Sequence, residues 1–355
     1  VKNLLGRDMV SIDFGSKNIK IVQGKQQGST VSIEKAVVIP TPPNSIKDGK
    51  IMNEGPLAAA IGDALIMNKI KAKRAVATIK NTAIITRELV LPSVRKEQLD
   101  SMIKIEIARY LPITLNEYIT EYRLMEEFTE DRVKKVKLLV VALPTLIAEG
   151  YYHLLKKLKL KPVALDVHVN AVSKLFDEGV RINEENYNSE QTVAFIDLGH
   201  TYIHLNIMSG NTILFNRLIA IGASDIDINL INSFNLSPEE AEKIKMEQGN
   251  LHISADITPD EAMVNDVIKL GVDNWIKELQ KLFQYHTSRD TGNRIDKIYI
   301  FGAGAKLNGL SEYMRFHFNI PTDKISELSN VKMKKSIENV PIEDCIDAIG
   351  AMIRR

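Results

Sequence analysis

The sequence predicts an α/β protein built as two related halves around a central cleft. Three observations carry this. The first is a repeat: Ile12-Asp13-Phe14-Gly15 followed by Ile19-Lys20-Ile21 returns, at the same spacing, as Ile196-Asp197-Leu198-Gly199 followed by Ile203-His204-Leu205. Each copy reads as strand, tight turn, strand, because β-branched and apolar residues flank a glycine. The second is the alternation of short apolar strands with helix-length periodic segments, the pattern of layered α/β folds. The third is length. A chain of 355 residues exceeds one small core, and at roughly 100–200 residues per domain two or three units are expected. Duplicated halves set their loops face to face, and a cleft between domains is a common ligand site.

The elements follow in order. Residues 10–22 hold the first strand pair, residues 24–28 a second turn and residues 31–39 another strand. Residues 40–53 carry Pro40, Pro42, Pro43 and Gly49 and read as a loop. Residues 57–67 have helical periodicity, and 74–79 return as a strand. The character shifts at Leu89-Val90-Leu91-Pro92. Residues 97–111 space Leu99, Met102, Ile103, Ile107 and Tyr110 at threes and fours, which predicts a helix. Pro112 ends it, since proline cannot continue the hydrogen-bond ladder. Strands are expected at 118–126 and 135–143 around the charged turn Glu130-Asp131-Arg132, then a helix at about 145–158. This unit reads as an insertion into the first half. The polar stretch 181–191 separates the halves. The second half offers strands at 192–197 and 297–301, helices at 238–248 and 264–288, and a last helix at about 344–353.

Composition narrows the function classes. Lys and Arg number 46 against 45 Asp and Glu, so no global field draws the chain to nucleic acid or anionic lipid. The single cysteine, Cys345, excludes a disulfide framework and a cysteine-rich zinc site and fits a reducing compartment. No stretch approaches the roughly 18 apolar residues of a membrane helix, and the first residues lack the apolar core of a signal peptide. A cytoplasmic location is expected, without direct membrane insertion and with any membrane link made through a partner.

Four segments carry candidate chemistry. In the first loop, Gly15 permits a sharp turn, and the backbone at Ser16, Lys17 and Asn18 can form an anion-binding nest. Asp13 ends a strand where a carboxylate can hold hydrated Mg²⁺, and Lys20 is a compact cation for a phosphate. An ordinary Asp-x-Gly hairpin is the competing reading. The second loop, Asp197 to Thr201, sets Asp197 opposite Asp13, with Gly199 and Thr201 on the phosphates and His200 beside them; a surface turn histidine is the plainer account of His200. The third is an apolar strand running into Gly302-Ala303-Gly304, with Lys306 following, where backbone lies open to a base or α-phosphate. It lacks the six-residue glycine fingerprint of dinucleotide sites. The fourth pairs Glu242 and Lys245, three apart on one helix face, as grips for ribose and adenine. In isolation they read as a solvated ion pair.

Taken together and in this order, the four segments resemble the actin-like ATPase superfamily. The resemblance implies an actin-like ATPase fold: two duplicated α/β halves, a central nucleotide cleft, and an FtsA-type inserted subdomain in the first half. It implies ATP and Mg²⁺ as ligands, Asp13 and Asp197 as metal-binding and catalytic carboxylates, and two hinge helices at 170–176 and 347–353. Ala171, Ala348, Gly350 and Ala351 would let those helices cross closely. The implied boundaries are 1–85 for the first core subdomain, 86–162 for the insertion, and 163–190 for the return and linker. Residues 191–224 and 292–341 form the second core subdomain, 225–291 its companion, and 342–355 the hinge helix returning to the first half.

Within that superfamily, the segment from Glu106 through Tyr110-Leu111-Pro112 to Glu117 is similar to the PilM family of type IV pilus assembly proteins, as is the ending Gly350-Ala351-Met352-Ile353-Arg354. This implies a scaffold that holds the cytoplasmic N-terminal tail of a PilN-like inner-membrane protein in a groove beside the insertion, near Met102, Ile105, Ile107 and Leu111. Other pilus platform or motor components and self-association stand open as further contacts. The chain departs from the family at three points. Ile113 replaces a phenylalanine, the second phosphate loop lacks a second glycine, and His168 stands where relatives often carry Glu. His168 occupies a position that orients metal or attacking water in relatives, so an ATPase that is slow at most is expected. A filament-forming ATPase like FtsA or MreB and a small-molecule kinase are the alternatives. The kinase ranks last, because the insertion offers no identifiable catalytic carboxylate.

Overall fold

The computed structural model describes residues 6, 8–109, 117–210, 212–252, 258–289, 292–334, 337 and 340–354. Leu111 and the Tyr110-Leu111-Pro112 signature lie outside them.

The first half opens as an antiparallel meander of β1 (Met9–Phe14), β2 (Asn18–Gln27) and β3 (Thr30–Pro40). Inside the expected loop sits a small hairpin, β4 (Ile46–Lys47) with β5 (Lys50–Ile51). Helix α1 (Glu54–Met67) then leads to β6 (Arg74–Ile79), parallel to β1. The inserted unit is β7 (Ile85–Pro92), α2 (Lys96–Ala108), β8 (Tyr118–Glu130) and β9 (Val133–Pro144). After it come α3 (Thr145–Lys157), β10 (Lys161–Val167), parallel to β6, and α4 (His168–Ser173). A short hairpin, β11 (Arg181–Ile182) and β12 (Glu185–Asn186), stands between the halves.

The second half repeats the first. β13 (Thr192–Leu198), β14 (Ile203–Ser209) and β15 (Thr212–Ile219) form the meander. Helices α5 (Ala223–Phe234), α6 (Pro238–Gln248) and α7 (Pro259–Ser288) occupy the place of α1. β16 (Lys297–Phe301) returns parallel to β13 and is followed by α8 (Leu310–Phe318) and β17 (Thr322–Lys324), parallel to β16. The strand order β3-β2-β1-β6-β10 of the first sheet is matched by β15-β14-β13-β16-β17 of the second. The repeated motif occupies the same register in each: Asp13 pairs with Lys20, and Asp197 with His204. Two closing segments return to the first half. β18 (Val331–Met333) adds to the edge of β3, and α9 (Ile346–Met352) packs against α4, β1, β2 and β6.

Helices α6 and α7 begin at matching caps. Ser237 Oγ accepts from Glu240 N while Glu240 accepts from Ser237 N, and Thr258 and Glu261 do the same, each pair with a proline at the first helical position. These boxes satisfy amides that would otherwise lack partners. The expected start of the longer helix at Val264 therefore moves back to Pro259.

Two expected boundaries also move. The insertion ends at Pro144 rather than 162, because α3 buries Ile147, Tyr151, Leu154 and Leu155 against the core of β1, β2 and α1; α3 is the counterpart of α8. The segment 331–333 belongs to the first sheet rather than the second half. Within the insertion, β9 alternates as a two-sided strand must. Val136, Leu138, Val140 and Ala142 pack with Leu99, Ile103 and Ile107 of α2, while Leu139 and Val141 face the central core. Ile107 is fully buried there, which corrects its expected place on a groove wall.

The halves share one core at the crossing of α4 and α9. A Cβ on Gly350 would lie 2.1 Å from the carbonyl oxygen of Ala171, so the helix backbones approach as only glycine allows.

Candidate functional site

The hairpin tips of β1–β2 and β13–β14, and the turn after β16, all lie at carboxyl ends of strands, where α/β sheets bind ligands. They converge on a cavity of about 310 Å³ between the halves. From the first loop it is lined by Gly15, Ser16, Lys17, Asn18 and Lys20; from the second by Gly199, His200 and Thr201. Gly302, Ala303, Gly304 and Lys306 line it from the third, and Glu242 and Lys245 from α6. All fourteen residues expected around the nucleotide therefore surround one space.

Beneath the cavity lies a chain of buried charges. Lys20 donates to Asp13 at 2.9 Å, and Thr78 Oγ1 donates to the other Asp13 oxygen at 3.1 Å. Lys80, at the end of β6, donates to Asp197 and sits 2.8 Å from Asp347 of α9. Burial opposes the charge on both lysines, but the Asp13 carboxylate outweighs it at Lys20, and Asp197 and Asp347 do so more strongly at Lys80. Both lysine pKa values are raised. Burial likewise disfavours ionised Asp347, yet His168 and Lys80 hold it far below the usual carboxylate range.

His168 stands elsewhere than expected. It is 1% exposed, does not line the nucleotide cavity, and lies behind Lys80 and Asp347. Asn206 donates to its Nε2 at 3.1 Å, and its Nδ1 is 2.6 Å from Asp347. With Nε2 accepting, Nδ1 carries the proton and faces the carboxylate. The ring also stacks on His204 at 4.0 Å. Nε2 is bonded and Nδ1 lies against a carboxylate, so His168 does not reach the nucleotide cavity, where the sequence reading expects it.

The cleft mouth is bridged by three contacts between the halves. Lys17 meets Glu242 at 2.5 Å, Thr201 donates to Ser16 at 3.0 Å, and Tyr202 donates to Asp48 at 2.9 Å. Glu242 and Lys245 do not pair with each other; Lys245 meets Asp227 of α5 at 2.5 Å. Burial and the neighbouring Lys17 lower the pKa of His200, which keeps it neutral near pH 7. Lys306 is 2.5 Å from Asp344. Sequence reasoning missed Lys80, Asp48 and Asp227 altogether and saw Asp347 only as a helix start. No motif surrounds Lys80, and its partner Asp197 is 117 residues away.

Three buried groups, His168, Asp197 and Asp347, place ligand atoms within 4.8 Å of one another among the described residues. Their oxygens suit a hard cation, but Lys80 already pairs with both carboxylates there. Asp197 also lines the nucleotide cavity, where a hydrated Mg²⁺ carried by a phosphate would reach it through water rather than seat in the triad. Among the described residues no helix is long and apolar enough to cross a membrane.

A family model described as the type IV pilus assembly protein PilM matches residues 11–347. Among solved structures, a PilM-PilN type IV pilus biogenesis complex is 19% identical, with each chain covered to 98% and a TM-score of 0.81. The ethanolamine utilization protein EutJ from Carboxydothermus hydrogenoformans follows at 14% identity, with 99% of this chain and 93% of that chain covered and a TM-score of 0.55. MreB5 of Spiroplasma citri bound to AMPPNP is also 14% identical, covering 97% and 95%, with a TM-score of 0.53. At these identities the structural likeness establishes a shared actin-like ATPase fold.

Proposed function

Because the chain belongs to the type IV pilus assembly protein PilM family, we propose that it is an ATP-binding scaffold of the pilus assembly platform that holds the cytoplasmic tail of a PilN-like membrane protein. The observation that carries the reading is the convergence of two duplicated hairpin loops, each ending in a buried aspartate, on one cavity. The similarity to a PilM-PilN complex supports the partner, and the AMPPNP-bound relative supports the nucleotide. Ser16, Lys17, Lys20 and Thr201 would take the phosphates, Glu242 and Lys245 the ribose and base. Bound Mg²⁺ would offset phosphate charge, touching Asp13 and Asp197 through its waters. The protein would sit at the inner face of the membrane by way of its partner.

Gly302 offers the sharpest test of the cleft. Its φ is +85°, and a Cβ there would meet Asp197 Oδ1 at 2.2 Å. Gly302→Val is expected to weaken ATP binding at least tenfold by calorimetry, and Asp13→Ala to do likewise by removing the carboxylate that positions Lys20 and would receive the waters of Mg²⁺. If both variants bind ATP like the parent, the nucleotide does not occupy this cleft.

Hydrolysis is expected to be slow. Asp13, Asp197 and Asp347 are each held by a lysine, and His168 has Nε2 bonded and Nδ1 against a carboxylate. No proton acceptor among these four is therefore poised toward a terminal phosphate. Turnover measured by phosphate release should fall below the roughly 1–10³ s⁻¹ of ordinary enzymes. A rate of tens per second would restore the enzyme reading.

A further inference from the structure

A second cavity, of about 180 Å³, lies where the first half, the insertion and the second half meet. Its walls come from the β6–β7 turn, β7, the start of α4, and β14 and β15. Its charged groups are Lys80, Arg87 and Arg217, joined by His168, His204 and Asn81, and no carboxylate lines it. That is unusual in a chain with nearly equal numbers of acids and bases. His204 is 8% exposed, and its Nδ1 is buried without a hydrogen-bond partner among the described residues.

From this lining we propose that the second cavity is a binding site for a small free oxyanion of the phosphate class, separate from the nucleotide cleft. The donors match that chemistry. Arg217 supplies a planar guanidinium suited to bidentate contact with phosphate oxygens, and the Lys80 and Arg87 side chains line the same space. The position at the meeting of three parts of the fold suits a free ion rather than an extended phosphopeptide or a lipid headgroup. Lys80 lines both cavities. An anion in the second one draws on the ammonium that holds Asp197 and Asp347, so its binding is coupled to the state of the cleft floor.

The test uses inorganic phosphate on the full chain without nucleotide, at ionic strength matched with chloride. Phosphate should raise the melting temperature saturably, as a ligand of the native state does. Arg217 is exposed and has no described ion-pair partner, so Arg217→Gln should leave the fold intact. It should raise the apparent Kd for phosphate at least fivefold while ATP affinity stays within twofold. Lys17→Gln, a change in the nucleotide cleft, should leave the phosphate effect in place. Loss of the effect in Lys17→Gln with retention in Arg217→Gln would assign the anion to the nucleotide cleft and overturn the proposal. A phosphate effect no larger than that of chloride would overturn it as well. Failure of ATP to bind any form would count against the nucleotide reading alone, since the phosphate measurements contain no nucleotide.

Discussion

Lys80→Met is expected to destabilise the protein by about 3–5 kcal/mol, the cost of breaking a buried ion pair by removing one partner. Against the roughly 5–15 kcal/mol that holds most domains folded, this is a large share. Lys80 is the cation between Asp197 and Asp347, whose side chains are only 6% and 7% exposed. Without it two carboxylates remain buried on either side of an apolar thioether. The midpoint of urea unfolding should fall while the slope stays unchanged. Restoring charge balance by adding Asp347→Asn should recover much of the loss, a non-additivity expected of groups in one network.

The same change carries a pH signature. Folded Asp347 titrates far below the usual range because His168 and Lys80 overcome its burial. A depressed carboxylate contributes stability above its unfolded pKa, about 3.9, and loses it as pH falls toward the folded value. Lys80→Met removes a main source of that depression. The deficit of the variant against the parent should therefore be widest above about pH 4 and should narrow below it. A deficit under 1 kcal/mol, or one equal at pH 3 and pH 7, would show that Lys80 does not hold the cleft floor together.

What could be read beforehand follows from how far each signal reaches along the chain. The paired hairpins were legible because both the aspartate–glycine turn and its apolar frame occur twice. The strands at Arg74–Ile79 and Lys297–Phe301 and the helix Pro238–Gln248 were legible from local pattern and appear at the expected residues. The helix at Pro259 was misplaced by five residues although Thr258-Pro259-Asp260-Glu261 carries a capping box ahead of it. Helix α3 was assigned to the wrong neighbour for a deeper reason. Periodicity shows that a helix has an apolar face but not which sheet that face meets. Lys80 gave no signal, because a single lysine after a strand becomes informative only when the fold brings Asp197 and Asp347 to it.

The residues expected on the partner groove divide along the same line. Leu99, Ile103 and Ile107 recur every fourth residue on one face of α2 and are buried against β9. Met102 is half-buried beside them, whereas Ile105, on the opposite face, is 61% exposed. Leu111 lies outside the described residues. The fourfold spacing marks the core face once β9 is in place, and it is Ile107, expected at the groove, that this face claims.

Ile105→Glu is accordingly expected to weaken capture of a PilN-like N-terminal tail at least tenfold without unfolding the protein. The change puts a charge on a face that already meets water, so stability should move by no more than about 0.5 kcal/mol. Central apolar anchors of an interface commonly cost 2 kcal/mol or more when lost. β7 and β8 are the two edges of the inserted three-stranded sheet. An extended tail can add to such an edge by backbone hydrogen bonds, with side-chain pockets supplying specificity. Excising residues 85–144 would remove tail binding entirely, but it would also uncover Leu139 and Val141, which pack on the central core. The point variant is therefore the cleaner measurement. It should be made by fluorescence anisotropy of a labelled tail peptide, with ATP affinity measured in parallel and expected to stay within twofold. Ile107→Glu serves as the contrast, because a charge at that buried position should unfold the insertion and lower stability by several kcal/mol. If Ile105→Glu captures the tail as tightly as the parent, the exposed face of α2 is not part of the groove. If both tail and ATP binding fall together, the variant has disturbed the shared core rather than the partner surface.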